Sequence, residues 1–284
     1  MNDFSRILMV SDFDRTLTGP DSRVPAANIE AIRRFMEKGG RFTVGTGRSA
    51  PMFRPHHDKV PTNAPLILYN GAAAYDYATE TLSGAVWMST GRELLEYITE
   101  NFPELWLEVQ GVDVHYLIGE NPVREAFYTA QGVAHRTVTV AEAPARYHKL
   151  AIFGEFHGLD VGQFYSGTPE EIERFGLCCE KIMRDWPGLI ADRAAPRIID
   201  LQASRGGKGR AARDLAKRLG RPILVCVGDA MNDASMLLEA DLAFAPSDCA
   251  EEIKALGCCR LVRPCAEGSL AGVVEALEEM EIDN

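Results

Sequence analysis

The fold is decided by the stretch ILMVSDFD at residues 7–14, where an apolar run ends on two carboxylates. A short apolar run of this kind predicts a buried strand, and an extended chain would place Asp12 and Asp14 on the same side. Two crowded acids repel each other unless a cation or a shared proton neutralises them. Mg²⁺ suits such a pair, because it binds through one or two carboxylates together with phosphate oxygens. The alternative is an acidic turn exposed to solvent.

Three further motifs follow the first one along the chain. The stretch FTVGTGR at residues 42–48 is a second predicted strand that ends in a hydroxyl residue, a glycine and a cation. The stretch GGKG at residues 206–209 opens a segment of helical composition. The stretch ILVCVGDAMND at residues 223–233 is a third apolar strand, and it ends on another acidic pair. Each of the four motifs lies at the end of a predicted strand or at the start of a predicted helix. Because all four have such a context, they support one another.

Predicted strands and helices alternate up to about residue 74 and again from about residue 201. This alternation predicts an α/β fold with a parallel sheet, in which ligands bind beyond the carboxyl ends of the strands. Asp12, Thr46 and Asp229 all follow predicted strands. We therefore expect their side chains to meet at one edge of the sheet.

Residues 75–200 have a different pattern, with several strands of mixed polarity. Mixed polarity is expected for an antiparallel sheet that has one exposed face. We predict a Rossmann-like parallel-sheet core of residues 1–74 and 201–284, with an inserted α+β domain of residues 75–200. A single domain with a long elaboration is the alternative, and the stop and restart of the alternation disfavours it.

Composition excludes several classes of partner. Hydrophobic residues make up 46% of the 284 residues and charged residues 25%, as in ordinary globular proteins. The net charge of −11 argues against nucleic acid, whose binding requires a basic face. We recognise neither a signal peptide nor an apolar run long enough to span a membrane. We therefore expect no membrane partner, a cytoplasmic location and reduced thiols at the seven cysteines.

The four motifs together resemble those of the haloacid dehalogenase superfamily of phosphotransferases, in family order and across nearly the whole chain. The inserted domain lies between the second and third motifs, which resembles the arrangement in the large-cap branch of the superfamily. This branch contains the Cof-like and sugar-phosphate phosphatases of subfamily IIB. The resemblance implies a Mg²⁺-dependent phosphatase acting on small phosphorylated metabolites, sugar phosphates above all, through an aspartyl-phosphate intermediate. It also implies that the inserted domain is a cap that sets substrate specificity.

The resemblance assigns a role to each motif residue. The catalytic residues are Asp12 as nucleophile, Asp14 as general acid and base, Thr46 as a phosphate-binding hydroxyl, and Lys208 as the balancing cation. The Mg²⁺ ligands are Asp12, Asp14 through its backbone carbonyl, Asp229 and Asp233. The residues expected to bind substrate are Thr46, Gly47, Arg48, Asn70, Lys208 and Asn232.

Several points stay open at this level. Arg205 and Arg210 are rival cations to Lys208, and Asn232 is equally suited to capping a helix. The position after Asp14, commonly glycine in this branch, is Arg15. The pair His56-His57 is expected to be a solvated loop or helix end rather than a metal site.

The functional alternatives are a phosphomutase that uses the same intermediate and a catalytically silent protein of this fold that binds or regulates. Both monomer and homodimer are compatible with the sequence.

Overall fold

A computed structural model describes residues 3–154, 166–203 and 206–280 of the chain. The chain divides into two compact units. The first unit consists of Met1–Arg48, Arg54–Gly84 and Gly207–Asn284, and the second of Ser49–Phe53 and Ala85–Gly206. The boundaries of core and cap that we expect from the sequence, at residues 74/75 and 200/201, stay a prediction.

The described residues form fourteen strands and nine α-helices. The strands are β1 (Ile7–Ser11), β2 (Arg41–Val44), β3 (Leu66–Leu68), β4 (Ala73–Asp76), β5 (Thr81–Ser83), β6 (Trp106–Gln110), β7 (His115–Ile118), β8 (His135–Val138), β9 (Lys149–Phe153), β10 (Leu189–Ala195), β11 (Ile198–Ala203), β12 (Ile223–Val227), β13 (Leu242–Pro246) and β14 (Cys259–Val262). The helices are α1 (Ala26–Glu37), α2 (Ala50–His57), α3 (Glu93–Asn101), α4 (Pro122–Gln131), α5 (Pro169–Asp185), α6 (Lys208–Arg218), α7 (Ala234–Glu239), α8 (Glu251–Ala255) and α9 (Ser269–Glu279).

The first unit is built on a parallel sheet of strand order β14-β13-β12-β1-β2. Strand β1 is buried along its whole length and pairs in parallel with both β12 and β2. Ser11 lies opposite Val227 on one side and Val44 on the other. The three central strands therefore end side by side, and the residues that follow them meet at one edge of the sheet. This confirms the predicted α/β class and parallel core.

The helices of the first unit cover this sheet because their apolar faces match its side chains. Leu8 and Val10 of β1 share one apolar cluster with Leu215 of α6 and Met236 of α7. Helices α1 and α9 pack on each other and contact β2 and β13. Strands β4 and β5, which the sequence did not predict, extend β3 into a small antiparallel sheet.

The second unit is built on a six-stranded sheet of order β10-β11-β9-β6-β7-β8. Its strand pairs are antiparallel, as predicted, except for the parallel pair β7–β8. Leu95 of α3 and Ile182 of α5 pack against Val109 and Ile152 of the sheet. This confirms an α+β unit within the middle of the chain.

The polar positions of this second sheet correct one expectation. Glu108 and Gln110 of β6 and Lys149 of β9 are buried, although mixed polarity predicts an exposed face. The charges are compensated instead: Arg124 Nη2 lies 2.8 Å from Glu108 Oε2, and Lys149 Nζ lies 2.7 Å from Asp200 Oδ2. Buried charge requires such pairing, and so at Glu108 and Lys149 the polar residues mark ion pairs and not an exposed face.

Within residues 3–154, 166–203 and 206–280, no helix has the length and apolar character needed to cross a bilayer.

Candidate active site

The carboxyl ends of the central strands of the first unit bring together three residues that the sequence placed at strand ends. Asp12 follows β1, and its backbone N–H donates a 2.8 Å hydrogen bond to the carbonyl oxygen of Val227 in β12. Thr46 follows β2 and Asp229 follows β12. All three residues are buried: the exposed fraction is 5% for Asp12, 1% for Thr46 and 9% for Asp229. The parallel register of the sheet therefore builds a buried polar site.

Lys208, the first residue of α6, supplies a cation to this site. Its Nζ donates hydrogen bonds of 2.6 Å to Asp12 Oδ1 and to Asp233 Oδ1. Burial alone would lower the pKa of Lys208, but the carboxylates of Asp12 and Asp233 raise it above its usual value, and so the ammonium stays charged. Arg210, a rival cation at the sequence level, instead lies 3.6 Å from Asp214 in an exposed pair. Arg205 lies outside the described residues.

Asp233 organises the loop after β12. Its Oδ2 accepts hydrogen bonds from the backbone N–H groups of Asp229, at 3.0 Å, and Ala230, at 3.3 Å. Asp233, and not Asn232, is the N-cap residue of α7, and its side chain bonds back to these loop N–H groups instead of capping that helix. Asn232 is half-buried in the same short 3₁₀ segment, Met231–Asp233. A Cβ on Gly228 would lie 2.5 Å from that of Asp233, so glycine is needed for this loop to close.

Three carboxylates form a cluster that is suited to a metal ion. One carboxylate oxygen from each of Asp12, Asp229 and Asp233 lies within 4.8 Å of the others. Burial and the charge of Asp233 raise the pKa of Asp229 to about 6. The same two causes raise the pKa of Asp12, while Lys208 acts in the opposite direction. Three carboxylates against one ammonium leave an excess of negative charge, and oxygen ligands of this kind fit a divalent cation such as Mg²⁺.

Thr16 is a site residue that the sequence analysis missed. Its buried hydroxyl donates a 2.8 Å hydrogen bond to Asp229 Oδ1, and this hydrogen bond fixes the orientation of the carboxylate. The signal was present in the first motif, where Thr16 follows Asp14 by two residues.

Asp14 lies outside the carboxylate cluster and is half-exposed. Arg48 Nε and Nη2 donate to Asp14 Oδ2 and Oδ1, at 2.9 and 2.8 Å. His56 lies near the end of α2, as expected for a helix end, but its ring is half-buried 4.9 Å from that of Phe13, with Nε2 3.3 Å from Arg48 Nη1. No sequence pattern indicated this cluster, because its members come from three separate segments.

Arg15 has a backbone conformation that explains why glycine is common at this position. Its φ is 60° and its ψ is 5°, which lies in the left-handed region. Residues other than glycine are rare there, because the Cβ crowds the following carbonyl oxygen. The turn that separates Asp14 from Thr16 is therefore formed here at a cost in backbone strain.

Thr46, Gly47 and Asn70 form the remaining part of the site. The backbone N–H of Asn70 donates to the carbonyl oxygen of Thr46 at 3.0 Å, and the N–H of Arg48 donates to Thr46 Oγ1 at 3.2 Å. A Cβ on Gly47 would lie 2.7 Å from Asn70 Oδ1. The structure therefore brings these predicted residues together beside the ends of β2 and β3.

Comparison with known proteins identifies the class. The sequence profile of the haloacid dehalogenase-like hydrolases matches residues 9–259, and so the chain belongs to this family. This confirms the resemblance drawn from the four motifs.

Individual relatives narrow the class further. Phosphatase YwpJ of Bacillus subtilis (strain 168) is 25% identical over 278 residues, which cover 88% of this chain and 92% of that protein. A haloacid dehalogenase-like hydrolase from Bacteroides thetaiotaomicron has the same fold, with a TM-score of 0.76, 17% identity, and coverage of 95% and 98%. A HAD subclass IIB sugar phosphatase has a TM-score of 0.74, 20% identity, and coverage of 95% and 97%. The chain is an enzyme of this hydrolase family, and its relatives support phosphatase activity.

Proposed function

We propose that the chain is a Mg²⁺-dependent phosphatase that hydrolyses small phosphorylated metabolites through an aspartyl-phosphate on Asp12. The observation that carries this proposal is the buried pairing of Asp12 with Lys208, at 2.6 Å, inside a cluster of three carboxylates. A structural ion pair would not need two additional buried acids, whose mutual repulsion costs stability. A nucleophile that must meet a phosphate dianion needs all of these groups.

The carboxylate cluster is the proposed cation site. Asp12, Asp229 and Asp233 would hold Mg²⁺ through their side chains, and Asp14 through its backbone carbonyl. A bound Mg²⁺ supplies positive charge that offsets the repulsion between the nucleophile and the phosphate. The hydrogen bond from Thr16 to Asp229 supports this assignment, because orienting contacts to ligand side chains tune metal sites.

The chain's own side chains account for both chemical steps. A carboxylate oxygen of Asp12 attacks phosphorus, the bond from phosphorus to the leaving oxygen breaks, and Asp14 gives that oxygen a proton. Lys208 and the Thr46 hydroxyl then stabilise negative charge on the phosphoryl group. In the second step Asp14 takes a proton from water, the water oxygen attacks phosphorus, and orthophosphate leaves Asp12.

Sugar phosphates are the favoured substrates in this proposal. One solved structure of the same fold belongs to a protein described as a sugar phosphatase. We propose that residues 75–200 act as the cap that selects the substrate. The net charge of −11 favours a small phosphorylated partner over nucleic acid, and a cytoplasmic location belongs to the same proposal.

The test is phosphate release from p-nitrophenyl phosphate and a panel of sugar phosphates, with Mg²⁺ and with EDTA. We expect release with Mg²⁺, a loss of roughly a thousandfold or more in Asp12→Asn, and no release in EDTA. Asp214→Asn is the matched control, since Asp214 is an exposed residue of α6, and it should keep full activity.

Each alternative has its own outcome in this experiment. Activity that persists in Asp12→Asn or in EDTA would contradict the proposed mechanism. A mutase would release little free phosphate. When a bisphosphate activator is added, it would transfer a phosphoryl group between hydroxyls of the substrate. No turnover of any kind, with Mg²⁺ shown to bind, would favour a silent binding protein.

A further inference from the structure

Asp14 is held in a way that conflicts with its proposed role. Both of its carboxylate oxygens accept hydrogen bonds from one guanidinium, Arg48 Nε to Oδ2 at 2.9 Å and Nη2 to Oδ1 at 2.8 Å. A two-point pair of this kind is the strongest geometry available to arginine and a carboxylate. A general acid must carry a proton on one oxygen and direct it at the leaving group. The pair has to open at one oxygen at least before Asp14 can do this.

The guanidinium of Arg48 has a second set of contacts that does not involve Asp14. Its central carbon lies 5.2 Å from the centroid of the Phe13 ring, and its Nη1 lies 3.3 Å from His56 Nε2. Arginine only donates hydrogen bonds, so His56 Nε2 must accept and the imidazole must be neutral. Burial and the charge of Arg48 both lower the pKa of His56, which agrees with the neutral form. The guanidinium therefore contacts Phe13 and His56 in addition to Asp14.

Arg48 also lies beside the residues expected to receive phosphate. Its backbone N–H donates a hydrogen bond of 3.2 Å to Oγ1 of Thr46, and Thr46 lies two residues after the end of β2. A phosphate dianion carries more charge than one carboxylate and offers oxygens that match the same two donors. It would therefore compete with Asp14 for the guanidinium.

We propose that Arg48 is an exchangeable latch, which holds Asp14 in the free protein and moves its hydrogen bonds to the phosphoryl group when substrate binds, with His56 as the residue that positions it. This inference rests on the proposed function, and it adds a condition on when Asp14 can act. Asp14 becomes free to act as an acid only when a phosphoryl group is present to replace it.

A double-mutant cycle tests the competition without relying on turnover. The dissociation constant of inorganic orthophosphate is measured by calorimetry in Mg²⁺ for the full-length wild type, Asp14→Asn, Arg48→Gln and the double variant. A neutral amide competes less well than a carboxylate for Arg48, and so Asp14→Asn should bind orthophosphate about fivefold or more tightly than the wild type. In the Arg48→Gln background the same change should have less than about a twofold effect.

The outcomes separate this inference from the proposed function. Removing a negative charge near phosphate also reduces repulsion, but that effect would be the same in both backgrounds. Equal tightening in both backgrounds, with normal phosphatase activity in the wild type, would overturn the latch alone. Failure of the wild type both to bind orthophosphate and to hydrolyse p-nitrophenyl phosphate would overturn the proposed function and the latch together.

The positioning role of His56 has a matched control in its neighbour. His56→Phe keeps an aromatic ring beside Phe13 but removes the Nε2 acceptor, and it should weaken orthophosphate binding and raise KM by about threefold or more. His56→Gln keeps an acceptor and should recover most of this loss. His57→Phe should change neither value, since the His57 ring stacks on Tyr77 at 4.4 Å. A lower thermal midpoint in His56→Phe with KM unchanged would show that His56 is only structural.

Discussion

Gly71 lies directly against the start of the helix that carries Lys208. A Cβ on Gly71 would come within 2.3 Å of the carbonyl carbon and oxygen of Gly207 and 2.7 Å of Lys208 N, and the φ of Gly71 is +92°. Both the space and the backbone conformation therefore require glycine. This close approach sets where α6 begins, and so where the ammonium of Lys208 lies relative to Asp12.

We expect Gly71→Ala to lower the free energy of unfolding by about 2–4 kcal/mol, from overpacking and backbone strain. Phosphate release should fall as well, because α6 must shift to make room. Gly220→Ala is the control: its φ is +62° but nothing lies within 4 Å of the added Cβ, so about 1 kcal/mol is expected. Urea unfolding of both variants checks this, and equal losses would show that the contact with Gly207 does not matter.

Lys208→Met should destabilise the protein by about 3–5 kcal/mol in EDTA, because it leaves two buried carboxylates without their partner. The side chain of Lys208 is fully buried, and so water cannot replace the ammonium. Lys217→Met, an exposed change in the same helix, should have little effect. Urea unfolding at pH 7.5 measures both. A small effect of Lys208→Met would mean that the three aspartates are not ionised together.

The raised pKa of Asp229 predicts a pH dependence. Its pKa of about 6, against a usual value of 3.8, means that the folded protein favours the protonated form. In EDTA the contribution of Asp229 to stability is therefore full at low pH and is lost as the pH rises through about 6. A divalent cation needs the ionised form, so the dissociation constant of Mg²⁺ should rise about tenfold for each pH unit below 6.

Calorimetric titration of the wild type with Mg²⁺ between pH 5 and pH 8 measures this dependence. Asp229→Asn should bind Mg²⁺ weakly at every pH. In EDTA, its thermal midpoint should not show the decrease that the wild type shows as the pH rises through 6. Affinity for Mg²⁺ that stays constant across pH 6 would contradict the assignment of Asp229 as a ligand.

Arg15→Gly should leave the fold intact and stabilise it by up to about 1 kcal/mol. Glycine relieves the left-handed backbone at φ 60°, and part of that gain is offset by the greater freedom of glycine in the unfolded chain. Arg15 also lowers the pKa of Asp229, so the variant should need a slightly higher pH to bind Mg²⁺. Thermal unfolding and Mg²⁺ titration test the two effects separately, and a destabilised variant would mean that the Arg15 side chain makes contacts worth more than the strain.

The strand ends of the candidate site could be predicted because they depend on local patterns. Asp12 and Asp229 each follow a buried apolar run, and a parallel sheet brings such ends together whatever else the chain does. Strand β6 of the second unit lacks this signal. In β6, Glu108 and Gln110 interrupt the apolar run, and their burial depends on partners such as Arg124 in a later helix.

The pairing of Asp14 with Arg48, and of Arg48 with His56, lay beyond the sequence for a different reason. Hydrogen bonds between side chains depend on the direction in which each one leaves its backbone, and the strand ends before Asp14. Strand β1 ends at Ser11, residues Phe13–Leu17 form a helical turn, and Arg15 within it is left-handed, so a regular strand period no longer applies after Asp12. The same turn separates Asp14 from the carboxylate cluster that Asp12 joins.

The long sequence separations within the site have a consequence for its biosynthesis. Asp12 pairs with Lys208, 196 residues later, and Thr16 with Asp229, 213 residues later. All residues of the second unit precede residue 207, whereas β12, which pairs with β1, is completed only at Val227. Domains fold as units while the chain is being made, and distant pairings form slowly. A nascent chain that has passed Gly206 but has not reached Asp229 therefore contains every residue of the second unit but only part of the site, so the site is completed only after the second unit has been synthesised.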